Sequence, residues 1–234
     1  MTAETFRIAI LGMGKMGREV DALARERGVD VVVRLDVGEM VDREGALAAL
    51  KGAQVAIDFT TPDAAVSNIE LCLEAGCPVV VGTTGWYGEL PRVRGLVQQK
   101  GGALLWAPNF SVGVALVRAL CARAGELLRG LEGYDVHLIE VHHAQKKDAP
   151  SGTALLLRDA LASAGREVPI TSIRTGAVPG RHEVSIEGAY EQIVIGHDVR
   201  NRRVFADGAL RAARWLRGRK GVFTMDDVLG LEAS

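Results

Sequence analysis

The densest run of residues able to do acid–base chemistry is 140–154. Two histidines, His142 and His143, and two lysines, Lys146 and Lys147, follow a predicted strand and enter a loop. A histidine holds or delivers a proton near neutral pH, and a lysine adds a full positive charge. These residue types predict a pocket for a small anionic substrate that gains charge during the reaction.

The loop ends where a helix is predicted to start. Ser151 or Thr153 could cap this start, and the amide groups of the first helical turn would suit a carboxylate. Without a nucleotide site elsewhere in the chain, a solvated basic loop would be the default interpretation. A metal site formed by His137, His142 and His143 is a further alternative. Strand alternation places His142 on the opposite face from the other two histidines, so we expect no metal there.

A glycine-rich fingerprint, G-x-G-x-x-G, runs from residue 12 to residue 17 between a predicted strand and a predicted helix. Such a loop requires glycine for its tight turn, for the approach of a pyrophosphate and for helix–strand packing. The second strand ends at Asp36, where a carboxylate would accept hydrogen bonds from the adenosine ribose. The candidate cofactor-binding residues here are Gly12, Met13, Gly14, Lys15, Met16, Gly17 and Asp36. A tight turn without a ligand is the alternative.

The same residues bear on the choice of cofactor. Asp36 favours a free ribose 2′-hydroxyl, and Val37 supplies no cation for a 2′-phosphate, whereas Lys15 could supply one. We therefore expect NADH or NADPH, with a preference for NADH.

Three further loops, 58–62, 82–85 and 108–111, each follow a predicted parallel strand. Open α/β sheets bind ligands at the carboxyl ends of their strands. These loops add the candidate cofactor contacts Gly82, Thr83, Thr84, Ala107, Pro108, Asn109 and Phe110.

Short apolar runs alternate with helical patterns over the first hundred residues. Strands are predicted at 6–11, 29–35, 55–59, 78–81 and 103–107, and helices at 15–27, 46–50, 62–74 and 90–99. Because these strands are continuously apolar, they predict a parallel sheet covered on both faces, and hence a Rossmann-like α/β domain.

The pattern changes after residue 110. Helices at 112–128 and 151–164, a strand at 134–143 and strand-like alternation over 170–205 predict a smaller α+β domain with a mixed or antiparallel sheet. A helix over 209–217 could return to the first domain. We therefore expect a dinucleotide-binding domain of residues 1–109 with 209–234, and a substrate-binding and oligomerisation domain of residues 110–208.

Composition excludes several classes of protein. The 234 residues carry a formal net charge of −1, which removes the simplest case for a nucleic-acid or anionic-membrane binder. The longest uncharged interior stretch, 101–117, is shorter than a membrane span requires. Three cysteines without zinc-ligand spacing indicate a reducing compartment. The first apolar run ends at Gly12 and does not have the pattern of a signal peptide. We expect a cytoplasmic protein.

The run 140–154 resembles the dihydrodipicolinate reductase family, also called the 4-hydroxy-tetrahydrodipicolinate reductases. The family pattern Glu-x-His-His-x-x-Lys-x-Asp-x-Pro-Ser-Gly-Thr-Ala matches at every fixed position. The resemblance extends over nearly the whole chain, through residues 58–60, 82–85, 109–113, 197–206 and 208–215.

The resemblance implies NAD(P)H-dependent reduction of 4-hydroxy-tetrahydrodipicolinate (dihydrodipicolinate) to tetrahydrodipicolinate, in the diaminopimelate route to lysine. His142 matches the family's proton donor and Lys146 its catalytic lysine. His143, Gly152 and Thr153 match positions that bind the substrate, a small dicarboxylate, and we add the neighbouring Ser151 to that set. The resemblance also implies a homotetramer built through the sheet of the second domain.

Two departures from the family pattern lie around the adenosine end. The glycine loop is one residue shorter than in many members, and residues 38–45 replace a longer connection. Both bear on cofactor preference.

Two other functions fit part of the sequence. Another small-molecule NAD(P) dehydrogenase, such as one acting on an amino-acid semialdehyde, would share the fingerprint. A nucleotide-sensing regulatory domain would share it too, but such a domain has no need of His142 and Lys146.

Overall fold

The computed structural model describes residues 5–36 and 42–231. The chain divides into two compact units. The first contains the described residues through Phe110 and those from Arg203 onward, and the second contains Ser111–Arg202. The chain therefore re-enters the first unit earlier than the predicted residue 209, because one continuous helix begins at Arg203.

The first unit contains a six-stranded parallel sheet. Its strands are β1 Arg7–Leu11, β2 Asp30–Leu35, β3 Val55–Asp58, β4 Val79–Val81, β5 Ala103–Trp106 and β10 Gly221–Phe223. They lie in the order β10-β5-β4-β3-β1-β2, and every pair is parallel. Strands β3 and β4 are buried along their whole length, as expected where helices cover both faces of a parallel sheet.

The described residues of the first unit form six α-helices. They are α1 Lys15–Glu26, α2 Arg43–Leu50, α3 Pro62–Glu74, α4 Leu90–Lys100, α7 Arg203–Leu216 and α8 Met225–Leu229. Helix α7 contacts α1 and strands β3, β4 and β5. Among the residues that the structure describes, no helix is long and apolar enough to cross a membrane.

The second unit is a mixed sheet with two helices. Its elements are α5 Val112–Leu128, β6 Asp135–His142, α6 Gly152–Ala160, β7 Ile170–Arg174, β8 Arg181–Glu187 and β9 Gln192–Asp198. The strand order is β7-β6-β8-β9, with β6 and β7 parallel and the other pairs antiparallel. Leu138, Val184 and Ile186 are buried in the core with residues of both helices.

The predicted fold class, a Rossmann-like domain with a smaller mixed-sheet α+β domain, is confirmed. Two local predictions were wrong, and two elements were missed. The helix predicted over 151–164 ends at Ala160 and continues only as a 3₁₀ turn at Ala162–Ala164. The strand-like stretch ends at Asp198, and Phe205 lies in helix α7, whose small residues pack against the first sheet. Strand β10 and helix α8 were missed.

Candidate active site

The glycine loop after β1 is built for close backbone approach. Gly12 has a φ of +84°, and a Cβ there would lie 2.6 Å from the carbonyl oxygen of Phe59. A Cβ on Gly17 would lie 2.0 Å from the carbonyl oxygen of Gly12. Gly14 is different: a Cβ there would meet nothing within 4 Å, and its position before α1 leaves the helix without a side-chain cap. The loop thus offers backbone amides to an anion, as a dinucleotide pyrophosphate requires.

The other residues of this loop are at least partly accessible. Lys15 is exposed, and Met13 and Met16 are half-buried. Asp36, exposed, follows the last residue of β2. Val37 and the first half of the abbreviated connection, residues 38–41, lie outside the described residues.

A buried carboxylate ties together the loops after β3 and β4. Asp58 is fully buried, and its Oδ1 accepts from the hydroxyl of Thr83 (2.7 Å) and from both the amide and the hydroxyl of Thr60 (3.0 and 2.8 Å). Its Oδ2 accepts from the side-chain amide of Asn68 at 2.8 Å. Burial raises the pKa of Asp58, and these hydrogen bonds act against that shift. Because the Thr83 side chain faces this carboxylate, only its backbone is placed to contact a cofactor.

The loops after β4 and β5 pack around one aromatic ring. A Cβ on Gly82 would lie 2.1 Å from the ring of Phe59, and that ring makes an edge contact with Phe110. Phe110 and Ala107 are buried, so their side chains serve packing. Thr84 and Pro108 are exposed and Asn109 is half-buried. The candidate cofactor residues therefore follow the carboxyl ends of β1, β2, β4 and β5.

The candidate catalytic residues lie in the second unit, at the end of β6. Alternation along β6 turns Glu140 and His142 to the buried face of the sheet. The Nδ1 atom of His142 is hydrogen-bonded to Oε2 of Glu140. Oε1 of Glu140 accepts from Nη2 of Arg174, on β7, at 2.6 Å. Burial alone would raise the pKa of Glu140, but hydrogen bonds from Arg174, Ser172 and His142 lower it to about 2.

The loop after β6 carries the predicted lysine. Nζ of Lys146 lies 2.8 and 2.9 Å from the two carboxylate oxygens of Asp148. Nε2 of the half-buried His143 lies 3.4 Å from Nη2 of Arg202.

Burial lowers the pKa of His142, and its hydrogen bond with Glu140 only partly opposes this.

Helix α6 starts with two accessible residues beside this loop. Ser151 is buried, and its hydroxyl accepts from the amide of Ala154 at 3.2 Å, so its side chain caps the helix. The Ser151 side chain therefore faces inward, although the residue was predicted to bind substrate. Gly152 is exposed and Thr153 is half-buried, at the N-terminus of a helix, where backbone amides suit an anion.

The three histidines of the alternative metal site do not lie on one face. His137 lies on the opposite face of β6 from His142, and its Nε2 lies 2.8 Å from the hydroxyl of Thr171. The described residues do bring ligand atoms of Glu140, His142 and His182 within 4.8 Å of one another. However, Arg174 already binds Glu140, and its positive charge would disfavour a cation there. We interpret the cluster as a hydrogen-bonded network.

Sequence reasoning missed three members of this network. Glu140 was part of the motif without a role, and Arg174 and His182 were read only as strand residues. The signal that could have found His182 is a single histidine among apolar alternating positions of β8. Its Nε2 lies 3.2 Å from the Ser151 hydroxyl, and its ring makes an edge contact with that of His142, with centroids 5.1 Å apart.

Comparisons with known proteins agree with one another. The family models described as dihydrodipicolinate reductase, N-terminus and C-terminus, match residues 6–110 and 113–229. A 4-hydroxy-tetrahydrodipicolinate reductase from Christiangramia forsetii is 37% identical, covering 95% of this chain and 97% of its own. One from Thiobacillus denitrificans is 39% identical, covering 97% and 99%. The solved dipicolinate-bound dihydrodipicolinate reductase from Paenisporosarcina sp. shares the fold, with a TM-score of 0.78 at 24% identity over 94% of this chain and 97% of its own.

Proposed function

This chain belongs to the dihydrodipicolinate reductase family, and on that premise we propose which of its residues perform the reduction. The resemblance read from residues 140–154 is confirmed. The enzyme is an NAD(P)H-dependent oxidoreductase that reduces 4-hydroxy-tetrahydrodipicolinate to tetrahydrodipicolinate, a step of the diaminopimelate route to lysine. The observation that carries the residue assignment is the buried carboxylate of Glu140, which is hydrogen-bonded to His142, to the amide of Ser151 before helix α6, and to Arg174. Arg174 also donates to the backbone of the loop that carries Lys146.

We assign proton delivery to His142. When bound, the reduced nicotinamide supplies a hydride to the conjugated carbon–nitrogen system, and a proton must reach the substrate to complete the reduction. The Nδ1 atom of His142 is engaged by Glu140, so Nε2 is the atom that can deliver a proton. Burial keeps the pKa of His142 low in the free enzyme. A dianionic substrate bound beside it would raise that pKa and favour the protonated form.

We assign substrate binding to the cations and amides around the same loop. Lys146, His143 and Arg202 supply positive charge or hydrogen-bond donors, and the amides of Gly152 and Thr153 form the start of helix α6. A helix N-terminus stabilises a carboxylate, and a lysine stabilises the negative charge that develops as hydride is added. Ser151 contributes by capping the helix.

We assign dinucleotide binding to the loops at the carboxyl edge of the parallel sheet. The amides at Gly14 and Lys15 suit the pyrophosphate, since a helix N-terminus without a side-chain cap leaves them open. Both NADH and NADPH are proposed as cofactors. The carboxylate of Asp36 at the end of β2 supports a preference for NADH, because it would repel a 2′-phosphate.

We also propose a homotetramer assembled through the outer face of the second sheet, the face opposite helices α5 and α6. Ile139 and Val141 of β6 lie on this face and are half-buried. Ile173 of β7 is 42% exposed and Val194 of β9 is 49% exposed, and the strand register places both on the same face. A second copy of this sheet would cover these side chains.

The direct test is the loss of NADH absorbance at 340 nm on adding freshly made 4-hydroxy-tetrahydrodipicolinate. We expect turnover with this compound and none with aspartate semialdehyde. Turnover with the semialdehyde alone would point instead to an amino-acid semialdehyde dehydrogenase. Binding of NADH without oxidation in either reaction would favour a nucleotide-sensing domain.

A further inference from the structure

The carboxylate behind His142 is placed like an orienting group. The Glu140 side chain is fully buried, with one oxygen on Nδ1 of His142 and the other on Nη2 of Arg174 at 2.6 Å. The amide of Ser151 also donates to Oε1 of Glu140, at 3.4 Å. An ionised carboxylate only accepts hydrogen bonds, so Nδ1 of His142 must carry the proton in this bond.

The opposite edge of the His142 ring is kept open. Gly180 lies beside Nε2, where a Cβ would approach that atom to 3.1 Å. Its φ of +154° further disfavours any other residue there. With Nδ1 fixed on Glu140, the ring has one orientation and presents Nε2 away from the buried carboxylate.

Arg174 serves both the carboxylate and the lysine loop. Its Nη2 donates to Glu140 and also, at 2.6 Å, to the backbone carbonyl of Asp148. Asp148 in turn holds Nζ of Lys146. One guanidinium therefore links the orienting carboxylate of His142 to the residue that pairs with the proposed catalytic lysine.

We propose that Glu140 and Arg174 are positioning residues for the reduction, with Glu140 fixing the tautomer and orientation of His142 and Arg174 neutralising Glu140. This proposal rests on the assignment of His142 as proton donor. A carboxylate alone beside the imidazole would stabilise the imidazolium and weaken it as an acid, whereas the paired guanidinium offsets that charge. The hydrogen bonds of Glu140 to His142 and Arg174 keep the imidazole ring aligned, and the proton on Nε2 stays available for transfer.

Charged or titratable groups face His142 from four elements. Glu140 lies on its own strand, Arg174 on β7, His182 on β8 and Lys146 on the following loop. Removing Glu140 leaves positive groups unopposed, which lowers the pKa of His142. Removing the charge of Arg174 leaves the carboxylate unopposed, which raises it. The two substitutions therefore shift the pKa of His142 in opposite directions.

The experiment compares Glu140→Gln, Arg174→Gln and Arg174→Lys in the full-length enzyme. Activity requires protonated His142, so kcat/KM falls on the alkaline side as this group loses its proton. We expect Glu140→Gln to lower kcat about 10- to 100-fold, with substrate KM and NADH Kd within about threefold of the parent, and to move the alkaline limb to lower pH. Arg174→Gln should move the alkaline limb of the kcat/KM profile to higher pH. Arg174→Lys, which keeps the positive charge, should leave the limb at the pH of the parent enzyme.

Two comparisons separate this proposal from its premise and from a purely structural effect. In a His142→Gln background, Glu140→Gln should cost less than about threefold, because the ring it orients is gone. The matched control is Glu126→Gln, which removes a half-buried carboxylate paired with Arg123 on α5. Full activity of His142→Gln would refute the assignment of the proton donor. Low activity of His142→Gln, combined with limbs that shift together or not at all, would overturn only the roles of Glu140 and Arg174. If Glu140→Gln does not fold, the Arg174 pair still decides the question.

Discussion

The hydroxyl of Thr83 donates to Oδ1 of Asp58 at 2.7 Å and also accepts from the amide of Thr60 at 2.9 Å. The ends of β3 and β4 are therefore joined by side chains beneath the loops that we assign to the dinucleotide. Thr83 was selected as a cofactor contact, but its side chain holds the loop from within. A buried acceptor that loses its donor costs about 1–3 kcal/mol, so this bond is worth testing by itself.

Thr83→Val should reduce the free energy of unfolding by about 1–3 kcal/mol, because valine keeps the shape but leaves Asp58 and the Thr60 amide without this partner. NADH affinity should fall with it, since the Thr60 and Thr83 loops are released. Denaturant unfolding and NADH fluorescence titration measure the two effects. The stability control is Thr84→Val, at an exposed neighbour. Equal stability of the two variants would contradict the role of Thr83.

Lys146→Ala should lose most of kcat, by roughly 100-fold or more, while NADH affinity survives. The ammonium is placed to stabilise charge that develops on the substrate, and it belongs to the second unit, whereas the dinucleotide loops belong to the first. Steady-state kinetics and an NADH titration test both halves of the prediction. Lys147→Ala is the matched control, because that lysine is its exposed neighbour in the same loop. Turnover unchanged from the parent would remove Lys146 from the mechanism.

The sequence predicts what is local and misses what depends on strand pairing. The G-x-G-x-x-G loop and the 140–154 run are continuous in the chain, so their residue types and order reveal them. Arg174 lies 34 residues from Glu140, and only the parallel pairing of β6 with β7 brings them together. Strand β10, Gly221–Phe223, has only two apolar side chains to mark it, and it forms by pairing with β5 at the end of the sheet.

His182 makes stability depend on pH. Burial, followed by the nearby His142, lowers the pKa of His182 to about 4 from an ordinary 6.5. Between these values the unfolded chain binds a proton that the folded chain excludes, so stability decreases as pH falls from about 6.5 to about 4. The loss is at most about 3 kcal/mol from this residue. Glu140 adds a separate loss below its ordinary pKa of 4.5, which ends near 2.

His182→Gln should flatten this dependence. Chemical denaturation at pH 4.5 and at pH 7.5 measures it, and we expect the difference between the two values to shrink by about 1–3 kcal/mol in the variant. The difference in unfolding free energy between variant and parent should be constant above pH 7, where His182 is neutral in both the folded and the unfolded chain. An undiminished pH difference would mean that His182 is not held neutral by its surroundings.

Asp36 provides the test of cofactor preference. Asp36→Ser removes a carboxylate that would bind the adenosine ribose and repel a 2′-phosphate. The ratio of kcat/KM for NADH to that for NADPH should fall about 10-fold or more. The change in this ratio should come from the KM values of the cofactors and not from kcat, because Asp36 is distant in sequence from the proposed catalytic residues His142 and Lys146. A ratio that stays constant would show that the preference is set elsewhere, with Lys15 as the next residue to change.

The outer face of the second sheet provides the test of assembly. Ile173→Asp would place a charge on a face that we expect a second copy to cover, and an unpaired buried charge costs several kcal/mol. The variant should therefore dissociate to smaller species at micromolar concentration, measured by light scattering after size exclusion. Val32→Asp is the matched control, an exposed branched side chain on β2 of the first unit. A parent enzyme that is already monomeric, or an Ile173→Asp variant that keeps the mass of the parent, would contradict assembly through this face. Dissociation in the Ile173 variant alone would show that its exposed side chain is covered in solution.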